Sequence, residues 1–160
     1  MSRLGTAYLR ALQAIGKGLN TGTNVFERDW DVLVVLDACR VDALRSVAPE
    51  TALIDEVESM RSVGSSSSEW LENTFPGHPE TSKTVMVTGN TWTDRYVDAE
   101  AFAALDEVWK YAWDEDVGTV PARAVTDRGI AMARERDPDR LVVHYMQPHH
   151  PFVSDPLSAD

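Results

Sequence analysis

The sequence predicts an α/β fold in which a doubly wound, mostly parallel sheet is flanked by helices. The first observation is Val32–Leu36, five consecutive aliphatic residues. This run is too short for a buried helix but is typical of a parallel strand covered on both faces. The second observation is a helix-like segment, 40–47, directly after it. The third is that strand-like and helix-like segments alternate along the rest of the chain, as in doubly wound sheets.

The remaining elements are predicted from the same patterns. Further strands are expected at 51–57, Thr84–Thr88 and 141–146. Further helices are expected at 69–74, 98–105 and Ala122–Arg136. The last helix has the clearest limits, because Pro121 stands at its start and Asp137-Pro138 stops it. An N-terminal helix and turn are expected over 1–24, ahead of an α/β domain over 25–160.

Length and hydropathy limit the class of protein. A chain of 160 residues can form one domain with a core. No stretch reaches the roughly 18 to 20 apolar residues that cross a bilayer, and the N-terminal segment lacks the apolar centre of a signal peptide. The apolar residues of that segment are Leu4, Tyr8, Leu9, Leu12, Ile15 and Leu19. One cysteine, Cys39, excludes an internal disulfide and fits a reducing compartment. The sequence therefore predicts a cytoplasmic protein without a membrane partner.

The charge is strongly acidic, with 26 acidic against 15 basic residues and a net charge of -11. Only Lys17, Lys83 and Lys110 are lysines. An acidic excess with few lysines favours a protein adapted to high salt, where self-repulsion is screened. An ordinary acidic protein is the alternative. No basic patch can neutralise phosphates, so nucleic-acid binding is not expected.

Asp37 ends the first strand, at the edge of the sheet where open α/β folds bind ligands. A carboxylate at this point is suited to hold a metal ion or to orient a substrate. The alternative is that Asp37 caps the next helix.

A serine-rich turn, 64–70, combines a glycine, several hydroxyl groups and a helix start. Ser66 or Ser67 at a helix N-terminus would lie in a field that favours an alkoxide or a bound oxyanion. A serine also needs a base or a metal to become nucleophilic. The alternative is that the serines are caps and linker, with Glu69 completing a capping box.

Histidines surround the last predicted strand. His149 and His150 follow it and are suited to donate a proton to a leaving group, bind a metal or contact an anionic substrate. The alternative for this pair is a polar loop. His144 lies within the strand and is interpreted as a hydrogen-bonded core residue.

Cys39 and Arg45 have the Cys-x5-Arg spacing of cysteine-dependent phosphatases. Such a phosphate cradle needs glycines, and 40–44 has none. Asp42 would also place a negative charge in the anion site. A small buried cysteine beside the sheet is the other interpretation.

Taken in order, these segments resemble the alkaline phosphatase and sulfatase superfamily over about 29–152. Segment 31–44 resembles the opening strand of that family, whose terminal acidic residue is a metal ligand. The family nucleophile lies some thirty residues on, in a Cys/Ser/Thr-x-Pro-Ser motif at a helix start. Segment 66–69 falls at that distance, with Ser66 in the place of the nucleophile, or Ser67 after a shift of one residue. Segment 144–152 resembles the His-x-Pro-Tyr/Phe loop, whose histidine faces the anionic group.

The resemblance implies a metal-dependent hydrolase of phosphate or sulfate esters. Asp37 would bind a divalent cation, Ser66 or Ser67 would attack the ester, and His149 would stabilise or protonate the leaving oxygen. Residues implied to bind the small anionic ester substrate are His149, His150 and Asn90. The chain is also similar to short sulfatase-like proteins of halophilic archaea, in agreement with its composition.

Four features depart from the family pattern. Ala38 replaces a second acidic residue, Ser68 and Glu69 replace the proline and serine of the nucleophile motif, and 87–92 lacks a lysine. No Asp-His/Asn-Gly segment follows Phe152. We therefore expect a sheet that is incomplete at the C-terminus, with weak or partial activity and an unpaired edge that favours self-association. A non-catalytic remnant that binds an anion or a partner is the alternative function.

Overall fold

The computed structural model describes residues 22–152 and is built around a four-stranded parallel sheet. The strands are β1 (Val32–Leu36), β2 (Thr84–Thr88), β3 (Ala104–Glu107) and β4 (Arg140–Tyr145). Their order across the sheet is β1-β4-β2-β3, and all three neighbouring pairs are parallel. The strand that comes last in the sequence therefore lies between the first two. The predicted α/β class with a parallel sheet flanked by helices is confirmed.

The helices are α1 (Val41–Val47), α2 (Ser67–Thr74), α3 (Thr93–Tyr96) and α4 (Ala122–Arg136). Single 3-10 turns lie at Val25–Glu27, Ala48–Glu50, Pro79–Lys83, Ala99–Ala101 and Val108–Lys110. None of the helices within residues 22–152 has both the length and the apolar character needed to cross a membrane.

The core has two layers, one on each face of the sheet. Helix α4 packs on β4 and β2, and Gly129 allows close contact, since a Cβ there would lie 3.2 Å from a methyl group of Val143. On the opposite face, Met86 and Val142 contact Leu71 and Phe75 of the α2 region. Alternate residues of β2 and β4 thus serve opposite layers, as the pleat of a strand requires.

Two of the predicted elements are wrong. Segment 51–57 is irregular and forms no strand; its Leu53 is 92% exposed, and no strand within the described residues pairs with its backbone. Segment 98–105 is not a helix. Asp98 caps one 3-10 turn, Phe102 then enters the core, and β3 starts at Ala104, opposite Val85 of β2. Strand pairing and burial outweigh local helix propensity in this segment.

The predicted burial of β1 on both faces is also wrong within the described residues. Val32, Val34 and Leu36 are 55%, 53% and 40% exposed, respectively. The reason is that β1 is an edge strand of this sheet and α4 covers β4 and β2 instead. The predicted N-terminal helix lies outside the described residues, as does the chain after Phe152.

Candidate functional site

A cleft with a volume of about 700 Å³ opens beyond the carboxyl ends of β1 and β4. Four of the predicted site residues line it: Asp37, Ser66, Ser67 and His149. They come from three separate segments, namely the turn after β1, the start of α2 and the loop after β4. The parallel sheet brings these segments to one edge, which is where ligands bind in open α/β folds.

Asp37 is held by two side chains from distant parts of the sequence. The Ser67 hydroxyl lies 2.9 Å from both carboxylate oxygens, and Asn90 Nδ2 donates to Oδ2 at 3.0 Å. The Asp37 amide donates to the carbonyl of Tyr145, which ties the carboxylate to the end of β4. Helix α1 has Arg40 as its N-cap. The interpretation of Asp37 as a helix cap is therefore wrong.

The serines of the turn have different local partners. Ser66 is the N-cap of α2, where its Oγ accepts the Glu69 amide at 3.3 Å and lies 3.0 Å from the Ser68 hydroxyl. Glu69 accepts both the amide and the hydroxyl of Ser65. Ser67 is the first residue of α2 and is the serine that reaches Asp37. One of the two candidate serines thus caps the helix, and the other contacts the carboxylate.

Asn90 is completely buried and lies two residues beyond β2. Its side-chain Oδ1 accepts a hydrogen bond from the Trp92 backbone amide at 2.9 Å, and its backbone amide donates to the Thr88 hydroxyl. These bonds fix the side-chain amide so that Nδ2 faces Asp37. Asn90 is not among the residues that line the cleft. In this arrangement it orients the carboxylate, and its predicted contact with substrate stays a prediction.

The two histidines after β4 have different positions. His149 lines the cleft, with its amide bonded to the Met146 carbonyl and its Nδ1 2.6 Å from the His150 carbonyl oxygen. His150 is exposed and packs edge-on against Phe152, away from the lining residues. His149 is therefore the histidine placed to meet a ligand in the cleft.

His144 also lines the cleft. It is 1% exposed, it packs edge-on against Trp70 at 5.6 Å, and its Nδ1 has no hydrogen-bond partner within residues 22–152. Burial lowers the pKa of His144 to about 4, against an opposing effect of the Asp37 carboxylate. The predicted core position is confirmed, but Nδ1 lacks the expected hydrogen bond.

Two tryptophans, Trp70 and Trp92, also line the cleft and were not predicted from the sequence. The signal that could have found them is their position in the chain. Trp70 closes the serine turn, and Trp92 follows Asn90 by two residues. Their rings give the cleft apolar walls beside its polar groups.

The depressed pKa of His144 makes stability depend on pH. The unfolded chain binds a proton near the ordinary value of 6.5, whereas the folded chain binds it only near 4. We expect the free energy of unfolding to fall as pH is lowered through this window, by at most about 1.4 kcal/mol per pH unit from this residue. Urea unfolding of the wild type and His144→Gln across that range measures the effect. An equal pH slope in both proteins would contradict it.

Cys39 and Arg45 do not form a phosphate cradle. Residues 41–44 are part of α1 and cannot wrap around an anion. The Arg45 side chain bonds to the Val57 carbonyl instead, and Arg40 pairs with Asp42. Cys39 is a half-buried thiol near the Arg40 carbonyl. The cysteine-phosphatase interpretation is wrong for this geometry.

The divalent cation implied by the resemblance finds few ligands. Residues 22–152 contain no group of three or more histidine, cysteine, aspartate or glutamate side chains suited to a metal ion. Asp37 is the one carboxylate among the described residues that line the cleft, and Asn90 turns its nitrogen towards that carboxylate. Hard cations such as Ca²⁺ take about 6 to 8 oxygen ligands. The described residues alone do not fit such an ion, so the chemistry of the cleft is derived from protein groups.

Family models, curated proteins and solved structures were each compared with this chain, and none of them gave a match.

Proposed function

We propose that this cleft is the active site of a hydrolase of small phosphate or sulfate esters, of the alkaline phosphatase and sulfatase type. The observation that supports it best is the contact between the Ser67 hydroxyl and Asp37, with Oγ 2.9 Å from both carboxylate oxygens. A hydroxyl beside a carboxylate that can accept its proton is the arrangement of an activated nucleophile. Its place at the first residue of α2 adds the favourable field of a helix N-terminus.

The proposed reaction has two steps. Ser67 Oγ attacks phosphorus or sulfur in line, the serine proton passes to Asp37, and the bond to the leaving alcohol breaks. His149, which lines the same cleft, donates a proton to the leaving oxygen. Backbone amides at the start of α2 face the negative oxygens of the ester. Water then attacks phosphorus or sulfur of the seryl ester and gives a proton to His149. The bond to Ser67 Oγ breaks, Asp37 returns the proton to Oγ, and inorganic phosphate or sulfate is released.

The proposed reaction does not depend on a divalent cation, because the described residues alone do not fit one, and a cation requirement is tested separately. Adaptation to high salt and a cytoplasmic location are also proposed separately, because they rest on composition. The substrate class is a small anionic ester, with no nucleic acid involved. Each assay is therefore run at low and at molar KCl, with EDTA or with added Mg²⁺, Mn²⁺, Zn²⁺ or Ca²⁺.

The experiment compares the full chain with Asp37→Asn on p-nitrophenyl phosphate and p-nitrophenyl sulfate. The substitution keeps the shape of the side chain but removes the charge and the proton acceptor. We expect it to lower turnover by about 100-fold or more, because a misplaced and unactivated nucleophile loses that much. Asp42→Asn is the matched control, since Asp42 pairs with Arg40 on the surface. Equal turnover in the wild type and Asp37→Asn would remove Asp37 from the mechanism.

A non-catalytic binding role is the second candidate, and one observation favours it. No lysine or arginine of the described residues lines the cleft, so these residues offer no permanent positive charge to stabilise the transition state of ester hydrolysis. In this case the protein would bind a ligand without turning it over. Calorimetric titration with inorganic phosphate and sulfate separates the two. Binding that is unchanged in Asp37→Asn, with no hydrolysis in either protein, would support the binding role.

A further inference from the structure

An apolar groove lies over the open face of β1. Its walls are α1 and the segment that contains Val57 and Glu58. The residues lining a pocket of about 200 Å³ within it include Val34, Leu36, Cys39, Val41, Leu44 and Val57. Val32 and Val34, at 55% and 53% exposed, extend its floor. We call this feature the β1 groove.

The β1 groove occupies a position that a helix covers in most parallel sheets. Val32 and Val34 lie opposite Leu141 and Val143 of β4, on the face that α4 covers further along. Helix α4 packs mainly on β4 and β2 rather than on β1, and its Ile130 is 46% exposed. Ile130 lies on the same side of α4 as Thr126, whose hydroxyl is 2.9 Å from that of Tyr145 on β4. The face of β1 that carries Val32 and Val34 is thus left uncovered by α4.

We propose that residues 1–20 of this chain bind in the β1 groove. Their apolar side chains have the spacing that such a surface requires. Leu4, Tyr8, Leu12, Ile15 and Leu19 are separated by three or four residues. That spacing places side chains on a single face of a helix, which is the pattern of a helix that packs on an apolar surface.

The charge of residues 1–20 also matches the groove. They contain Arg3, Arg10 and Lys17 and no acidic residue, in a chain with a net charge of -11. Segment 40–58, which runs from the start of α1 to the opposite wall of the groove, carries five carboxylates and two arginines. Of these charged residues, Arg40 and Glu58 line the pocket. One of these arginines, Arg40, is already paired with Asp42. A cationic segment therefore complements the wall of the groove, and a second copy of this acidic domain does not.

Residues 1–20 are also long enough to reach the groove. The first described residues contact the chain shortly after the 57–58 wall of the groove, because Gly22 packs on the backbone of Ser62 and the Thr23 amide bonds to the Arg61 carbonyl at 2.9 Å. From 62 back to Val57 the chain can span at most about 18 Å. Twenty helical residues cover about 30 Å, and the five residues of β1 cover about 17 Å. Residues 1–20 are therefore long enough to reach the groove.

The lone cysteine permits a direct test in the full chain. Cys39 lines the groove, so a second cysteine is introduced singly at Leu4, Tyr8, Leu12 or Ile15. The matched controls carry it on the polar positions Thr6, Arg10, Gln13 or Lys17. After mild oxidation at low protein concentration, intact mass and non-reducing electrophoresis measure the intramolecular disulfide. Because this bond needs Cα atoms about 4.4 to 6.8 Å apart, we expect one or more apolar positions to close about tenfold faster than every polar position.

Two outcomes would overturn the proposal. One is equal rates of closure at apolar and polar positions. The other is disulfides between chains that increase with protein concentration, which would show that a second copy occupies the groove or pairs along the sheet edge.

A second measurement does not depend on disulfide geometry. Leu12→Asp should uncover the groove and speed the reaction of Cys39 with a water-soluble maleimide by about fivefold or more, since burial slows the access of a reagent to a thiol. Gln13→Asp is the matched control. Circular dichroism confirms that the α/β domain is folded in both. Identical rates in these two variants would also overturn the proposal.

Discussion

Ser67→Ala is expected to lower the turnover of the preferred ester by about 1,000-fold or more, whereas Ser66→Ala keeps turnover within about tenfold of the wild type. The two serines are neighbours with the same hydroxyl group, so the pair forms a controlled comparison. Only the Ser67 hydroxyl contacts Asp37, with both carboxylate oxygens at 2.9 Å. Removing it takes away the atom that is proposed to form the covalent intermediate.

The expected effect of Ser66→Ala is on stability instead. Ser66 accepts the Glu69 amide at the start of α2, and the loss of an N-cap side chain costs about 1 kcal/mol. Urea unfolding of both variants, measured beside the kinetics, separates this cost from a chemical effect. Peptide mapping of a trapped phosphoseryl or sulfoseryl ester locates the nucleophile independently. If Ser66→Ala is the inactive variant, the direct alignment with the family motif holds and our assignment of Ser67 is wrong.

Gly64→Ala is expected to destabilise the protein by about 3 kcal/mol and to reduce hydrolysis. Gly64 lies directly against the start of α2, where a Cβ would be 2.3 Å from the Trp70 nitrogen and 2.6 Å from the Glu69 carbonyl carbon. Both are backbone atoms, so the side chain cannot be accommodated by a rotamer change. The turn or the helix must move, and either movement displaces Ser67 from Asp37.

Gly77→Ala is the matched control for this prediction. Gly77 has a φ of +74°, and a Cβ added there would meet no heavy atom within 4 Å. Its substitution therefore costs only the left-handed backbone strain of about 1 kcal/mol. Thermal or urea unfolding measures both variants. The rate of hydrolysis should fall in Gly64→Ala, where α2 is displaced, and should stay near the wild-type value in Gly77→Ala. A Gly64→Ala protein as stable and as active as the wild type would show that the turn is not packed as described.

The elements that were best predicted from the sequence are those with strong local signals. Val32–Leu36, Thr84–Thr88 and Ala122–Arg136 have the predicted limits. The two strands are short and rich in aliphatic or β-branched residues. The helix is bounded by Pro121 at its start and by Asp137, in the left-handed conformation, at its end. Local patterns give a wrong prediction where pairing with a distant strand decides the secondary structure. Ala104 is part of β3 because it pairs with Val85 of β2. Segment 51–57 is irregular because it pairs with no strand of the described chain.

The site shows the same division. The resemblance implied that Asp37, the serine turn and His149 share one site, and all three line the same cleft. The choice between Ser66 and Ser67 was beyond sequence, since one hydroxyl caps α2 and the other faces a carboxylate 30 residues away. Asn90 was predicted as a substrate contact, and its bond to Asp37 depends on β2 lying close to β1, with only β4 between them.

The sequence by itself determined the α/β class, the acidic composition, the main strands and helix, and the residue types gathered at one edge of the sheet. These follow from local periodicity, backbone restrictions and charge, which act between neighbours in the chain. Tertiary structure alone decided the strand order, the exposed face of β1, the burial that lowers the pKa of His144 and the hydroxyl that contacts Asp37. Those features depend on packing between residues that are far apart in sequence, and local sequence patterns do not show which of these residues will meet.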